Sequence, residues 1–185
     1  MSRCSDGHDL KQKVIFVTGG AKSGKSSFVL NEAEKHEGQK AFIATAEALD
    51  EEMVNRIEKH KGQRGEDWNT YEEPLRISEV IKKIEGRYGA IVVDCLTLWL
   101  SNLMHADLDI TQEIENLVEV LRNSGLRTPN SGLFLVSNEV GTGIVPDNKL
   151  AREFRDLAGT MNQRVAGVSD EVFMVVAGIP VKVKG

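Results

Sequence analysis

The chain has 185 residues, 41% hydrophobic and 28% charged, with a formal net charge of -5. That length suits one domain with a substantial core, and the acidic balance argues against a general nucleic-acid binder. Two cysteines, Cys4 and Cys95, form no disulfide framework or zinc spacing, so a reducing cytoplasm is expected; no apolar run reaches the length of a membrane span, and the N-terminus lacks the apolar core of a secretory signal.

Residues 1–12 read as a flexible polar extension and 13–185 as a single domain. Val14-Ile15-Phe16-Val17 is a short buried strand. It leads into Gly19-Gly20-Ala21-Lys22-Ser23-Gly24-Lys25-Ser26, which fits G-x-x-x-x-G-K-[ST], and then into a helix over 27–34. Strand, glycine loop and helix together are the context of a P-loop. Its glycines let backbone N–H groups face a polyphosphate, and the helix start adds unpaired donors and a positive dipole end. Lys25 reaches toward the terminal phosphates, and the Ser26 hydroxyl is a ligand for Mg²⁺.

Lys40 to Thr45 reads as a second strand. Ala44-Thr45-Ala46 ends it with small residues, which suit either a close-approaching nucleotide or a tight strand-to-helix turn. Residues 50–61 read as a helix, with acids in the first turn and Lys59 and Lys61 in the last. His60 sits at its end and has two readings. It either caps helix carbonyls or completes an apolar stripe with Met53 and Ile57, or it is a phosphoryl nucleophile whose pKa is lowered by Lys59, Lys61 and Arg64. Residues 63–73 read as a polar connection. A carboxylate there can take paired hydrogen bonds from guanine N1–H and N2–H, so Glu72 or Glu73 is a base reader or a solvated acid. Trp68 covers the core or stacks on a base.

A helix is expected over 74–87. Ala90-Ile91-Val92-Val93-Asp94 follows as a buried strand ending in an acid, the Walker B pattern, where the carboxylate orients Mg²⁺ directly or through water. An acid after such a run is hard to explain as core, because an unpaired buried charge is costly. Residues 95–104 and 111–121 read as helices, and 123–130 as a loop. Gly132 to Ser137 is another buried strand with Asn138-Glu139 at its end, and 140–146 is a mobile or ligand-shaping loop. Asp147 is the expected N-cap of a long helix to about Gly167, with Leu150, Phe154, Leu157, Met161 and Val165 as its apolar stripe. Arg152, Arg155, Arg164 and Gln163 lie off that stripe, the arginines available to phosphates, to solvent or to an interface. Residues 171–177 form a last core strand, and 181–184 alternates like an edge strand. The rhythm is that of an α/β protein with a mostly parallel sheet and helices on both faces. The residues alone thus reach a Mg²⁺-dependent P-loop nucleotide enzyme.

Further marks are Ile43-Ala44-Thr45-Ala46, Arg56-Ile57-Glu58-Lys59-His60-Lys61 with Arg64 and Trp68, and Asp94-Cys95-Leu96-Thr97. Ser137-Asn138-Glu139-Val140-Gly141-Thr142-Gly143-Ile144-Val145-Pro146 and Arg152-Glu153-Phe154-Arg155-Asp156 with Gly159, Asn162 and Gln163 complete the set. With the P-loop, they resemble the bifunctional adenosylcobinamide kinase / adenosylcobinamide-phosphate guanylyltransferase family of cobalamin biosynthesis, from about Val14 to the C-terminus. The resemblance implies a P-loop NTPase-like (RecA-like) fold with a C-terminal edge hairpin. It implies phosphorylation of adenosylcobinamide by ATP or GTP, followed by GMP transfer from GTP through a guanylylated histidine to give adenosylcobinamide-GDP. That histidine matches His60. Nucleotide contacts carry over to Gly19–Ser26, Thr45, Ala46, Lys61, Gly62, Gln63, Arg64, Glu72 and Asp94, and the expected assembly is a homotrimer. Lys22 stands where the family more often has arginine. The competing readings are a P-loop kinase of another small alcohol or nucleoside without a covalent intermediate, and a regulatory nucleotide-binding module.

Overall fold

The computed structural model describes residues 12–46, 65–124 and 130–185. The helix expected over 50–61 and most of the N-terminal extension lie outside the described residues. Gln12, placed in that extension by its polarity, is 1% exposed.

The strands are β1 (Lys13–Gly19), β2 (Lys40–Ala44), β3 (Trp68–Glu72), β4 (Ala90–Asp94), β5 (Gly132–Asn138), β6 (Glu171–Val176) and β7 (Ile179–Lys184). They form one sheet in the order β3-β2-β4-β5-β1-β6-β7. Every neighbouring pair is parallel except β6 with β7. The described helices are α1 (Lys25–Ala33), α2 (Ile77–Ile84), α3 (Leu96–His105), α4 (Ile110–Ser124) and α5 (Lys149–Val168).

The continuous apolar runs of the central strands follow from burial on both faces. Val14, Phe16, Ala41, Ile43, Ile91, Val93, Leu133 and Leu135 share one core cluster with the apolar residues of α2 to α5. Their sequence neighbours Ile15, Val17, Phe42, Ala44, Ala90, Val92, Phe134 and Val136 share the other with Val29 and Ala33 of α1. This period-two alternation seats the sheet between its two helical layers.

Four expectations are corrected. The polar connection 63–73 contains β3, a half-exposed edge strand whose sequence Trp-Asn-Thr-Tyr-Glu lacks an apolar run. It is held by the β2 ladder, by Trp68 Nε1 donating to Glu34 Oε1 at 2.6 Å, and by the Tyr71–Tyr88 hydroxyl pair at 2.7 Å. The helix expected over 74–87 starts only at Ile77, because the Glu73 carboxylate accepts from the amides of Leu75 and Arg76 and folds the entry into a turn. The N-cap of α5 is Asn148, not Asp147: Asn148 Oδ1 accepts from the amides of Leu150 and Ala151. Leu150, placed by periodicity on the buried stripe of α5, is 61% exposed, while Ala158, Met161 and Val165 farther along are buried. Periodicity defines a face and not how far that face is covered.

The C-terminal hairpin is present as expected. Ala177 and Gly178, at φ 50° and 82°, make the two-residue turn between β6 and β7. Every residue of β7 is exposed, as befits an edge. Lys184 Nζ donates to the carbonyls of Ala166, Gly167 and Ser169, countering the negative end of α5.

Candidate nucleotide site

The P-loop joins β1 to α1 at the carboxyl edge of the sheet. Its shape depends on two glycines with positive φ, Gly19 at 152° and Gly24 at 100°, and Lys22 at its tip also has a positive φ of 56°. A Cβ on Gly19 would stand 2.4 Å from the Val175 carbonyl oxygen, so no larger residue fits there without moving β1 away from β6. Gly24 is the N-cap residue of α1 and supplies no side-chain cap, which leaves the first amides of the helix for an incoming anion. The hairpin turn braces the loop from behind, with the Gly178 amide donating to the Ser23 carbonyl at 2.8 Å.

Lys25 is 6% exposed, and its ammonium donates to the carbonyls of Gly19 at 2.9 Å and Gly20 at 2.6 Å. These bonds hold a buried cation inside the loop, directly under the space that phosphates occupy in such folds.

Ser26 and Asp94 meet across the sheet. The two belong to α1 and to the end of β4, and β4 is separated from β1 by β5. Even so, Ser26 Oγ donates to Asp94 Oδ2 at 2.7 Å. One hydroxyl and one carboxylate, converging beside a phosphate loop, form an oxygen-only donor set suited to a hard divalent cation such as Mg²⁺. Among the described residues no three His, Cys, Asp or Glu side chains cluster as metal ligands. Cys95, next in the chain, is buried; burial first, and the Asp94 charge second, push its thiol up to about 11, so it stays neutral near pH 7.

Thr45, expected to touch nucleotide, is fully buried beneath this acid with its hydroxyl bonded to the Cys95 backbone, whereas Ala46 beyond it is half-exposed. Glu72 ends β3 in register with Ala44, which is in register with Asp94. Glu72 therefore lies on the same carboxyl edge as the P-loop but four strand spacings from β1, about 19 Å. Only the far end of a nucleotide lying along the edge could meet it. His60, Lys61, Gly62, Gln63 and Arg64 lie outside the described residues.

A polar network near the end of β5 was not foreseen from the sequence. Ser137 Oγ donates to Asn162 Oδ1 at 2.7 Å and pairs with Thr97 Oγ1, which accepts from the Asn138 amide at 2.6 Å. The next amide, Glu139, donates to the Gly19 carbonyl at 3.0 Å and so ties β5 to the phosphate loop. Thr97, Ser137, Asn138 and Asn162 stand among the residues that carry the family resemblance, but nothing in the sequence says that they meet. Beyond it, residues 140–146 carry Ile144, 97% exposed, and Val145, 60% exposed. Arg152 anchors this loop by donating to the carbonyls of Pro146 and Asp147. Arg155 pairs with Asp156, and Arg164 with Glu115. All three arginines thus have protein partners.

A family model described as cobinamide kinase / cobinamide phosphate guanyltransferase matches residues 15–183. The bifunctional adenosylcobalamin biosynthesis protein CobU of Salmonella typhimurium strain LT2 is 41% identical over 185 residues, spanning 92% of this chain and 99% of its own. The protein of the same description from Escherichia coli strain K12 is 39% identical over 189 residues, with 92% and 99% covered. Among solved structures, an ATPase of the type III secretion system of pathogenic bacteria matches with a TM-score of 0.57 at 10% identity, over 92% of this chain and 56% of its own. That last likeness is one of fold, and it is the fold of P-loop NTPases.

Proposed function

The chain belongs to the cobinamide kinase / cobinamide phosphate guanyltransferase family, and on that premise we propose how its residues divide the two reactions. In the first, ATP or GTP phosphorylates the aminopropanol hydroxyl of adenosylcobinamide. In the second, an imidazole nitrogen of His60 attacks the α-phosphorus of GTP: an N–P bond forms, the α–β anhydride breaks, and pyrophosphate leaves. The phosphate of adenosylcobinamide phosphate then attacks the same phosphorus, breaking the N–P bond and giving adenosylcobinamide-GDP with the histidine restored.

The observation that carries this reading is the Ser26–Asp94 pair at 2.7 Å beside a phosphate loop holding a buried Lys25. Ser26 and Asp94 are the residues that would hold Mg²⁺, which when bound neutralises charge on the reacting phosphates. The amides of Gly19–Ser26 cradle the phosphates, and Lys25 exchanges its carbonyl partners for phosphate oxygens. Glu72 reads the guanine edge, with Ala46, Lys61, Gly62, Gln63 and Arg64 completing the nucleotide contacts. The exposed Ile144 and Val145, on the loop that follows β5, offer an apolar surface to the corrinoid. Exposed Ile179, Val181 and Val183 on the edge strand support the homotrimer that the resemblance implies, which sedimentation would measure. No described helix is long and apolar enough to cross a membrane, and with two cysteines, one of them buried and free, we assign the protein to a reducing cytoplasm.

The test is incubation with GTP and Mg²⁺ followed by intact-mass measurement. A gain of one GMP is expected, together with its loss in His60→Ala while cobinamide phosphorylation persists. No adduct in the unaltered protein, or the same adduct in His60→Ala, would refute the assignment.

A further inference from the structure

Thr45 is 0% exposed, and its hydroxyl is bonded twice to one residue: it donates to the Cys95 carbonyl and accepts from the Cys95 amide, each at 2.8 Å. Its own amide donates to the Asp94 carbonyl at 3.3 Å. Its carbonyl accepts from Asn102 Nδ2 at 2.8 Å, and the same amide group of Asn102 holds the Pro74 carbonyl at 3.1 Å. Every polar atom of Thr45 therefore has a partner within the protein.

The ladder between β2 and β4 ends at the Ala44–Asp94 pair. Thr45 adds one further backbone bond, to the Asp94 carbonyl, and prolongs the pairing to Cys95 with its side chain. The backbone of Asp94 is thus held by the sheet on its N-terminal side and by the Thr45 bridge on its C-terminal side. Between these two anchors its carboxylate accepts from Ser26 Oγ. Asn102 in turn fixes Thr45 to α3 and to the turn before α2.

We infer that Thr45 is a positioning residue for Asp94: it aims the carboxylate at Ser26 and thereby controls the Mg²⁺-dependent part of nucleotide binding, without itself touching the nucleotide. The inference rests on the reading of Ser26 and Asp94 as the Mg²⁺-holding pair. It departs from the direct contact that family resemblance implies for this residue. The physical reason is that a partner of a metal-holding group sets its orientation, and orientation governs affinity.

The test titrates a fluorescent GTP analogue into each protein in Mg²⁺ and in EDTA, with thermal melting to establish that each variant is folded. In the unaltered protein Mg²⁺ tightens binding. Thr45→Val replaces the hydroxyl by a methyl of similar size; it is expected to reduce that tightening by roughly 10-fold and to leave the affinity in EDTA unchanged. Thr45→Ser, which restores the hydroxyl, is expected to restore the tightening. Equal losses in Mg²⁺ and EDTA would overturn the inference in favour of direct contact, and full tightening in Thr45→Val would overturn it outright. Should Thr45→Val not fold, Asn102→Ala, which removes the bonds on the Thr45 and Pro74 carbonyls and so loosens the Thr45 bridge, carries the same comparison with the same two overturning results. Asp94→Asn separates the premise from the inference. If Mg²⁺ still tightens binding to Asp94→Asn, the metal reading itself fails; if it does not, while Thr45→Val behaves as the unaltered protein, only the positioning role fails.

Discussion

Replacing Lys25 by methionine keeps most of the stem and removes one positive charge from beneath the phosphate loop. Lys25 is 6% exposed, and its ammonium donates to two carbonyls at 2.9 and 2.6 Å. Opposite a phosphate charge at about 4 Å, with an effective dielectric of about 20, its attraction is worth about 4 kcal/mol. Part of that is offset, because the lysine must first release its carbonyl bonds, each worth about 1 kcal/mol net. A remainder of about 2 kcal/mol corresponds to roughly 30-fold weaker triphosphate binding. The fold should tolerate the change, since the lost hydrogen bonds are balanced by removal of a buried charge. The assay is titration of Lys25→Met with GTP, GDP and GMP analogues. The loss should be largest for GTP and smallest for GMP, because the side chain addresses the outer phosphates. Equal losses for all three, or an unchanged GTP affinity, would refute the reasoning.

Gly19→Ala places a Cβ 2.4 Å from the Val175 oxygen at a φ of 152°. The expected cost is about 2–4 kcal/mol, seen as a melting temperature lower by roughly 5–15 °C; an unshifted melt would show that the loop has slack. Asn148→Ala should cost about 1 kcal/mol through loss of the α5 cap, whereas Asp147→Ala should cost little, and chemical denaturation of the two separates them. Cys95 holds its proton more tightly folded than unfolded, at about 11 against 9.0. Its contribution is therefore complete below pH 9 and is lost as pH rises through 11, by about 2–3 kcal/mol. Stability of Cys95→Ala, measured across that window, should lack this component of the alkaline decline. Ile144→Ser should raise KM for the corrinoid by about 10-fold and leave nucleotide KM and stability unchanged, since this side chain is 97% exposed; equal effects on both substrates would remove the loop from corrinoid binding.

What local chemistry dictates was readable from the chain by itself. The apolar runs of β1, β4 and β5 announce strands buried on both faces because no other placement removes so many consecutive side chains from water. The glycine spacing before Lys25-Ser26 announces a phosphate loop, since positive φ at Gly19 and Gly24 is cheap only without a Cβ. The family was also readable, because its strings run through most of the chain. Tertiary structure decided what depends on partners distant in sequence. β3 is a strand because β2 offers it a ladder, although its own residues advertise only a polar segment. Ser26 and Asp94, 68 positions apart, become one oxygen pair only when the strand order places their ends together. Thr45 looked like a residue that lets a nucleotide approach, and packing turned it into a brace. A small hydroxyl at a strand end can serve either purpose, and only the neighbour the fold gives it, here the Cys95 peptide, selects one.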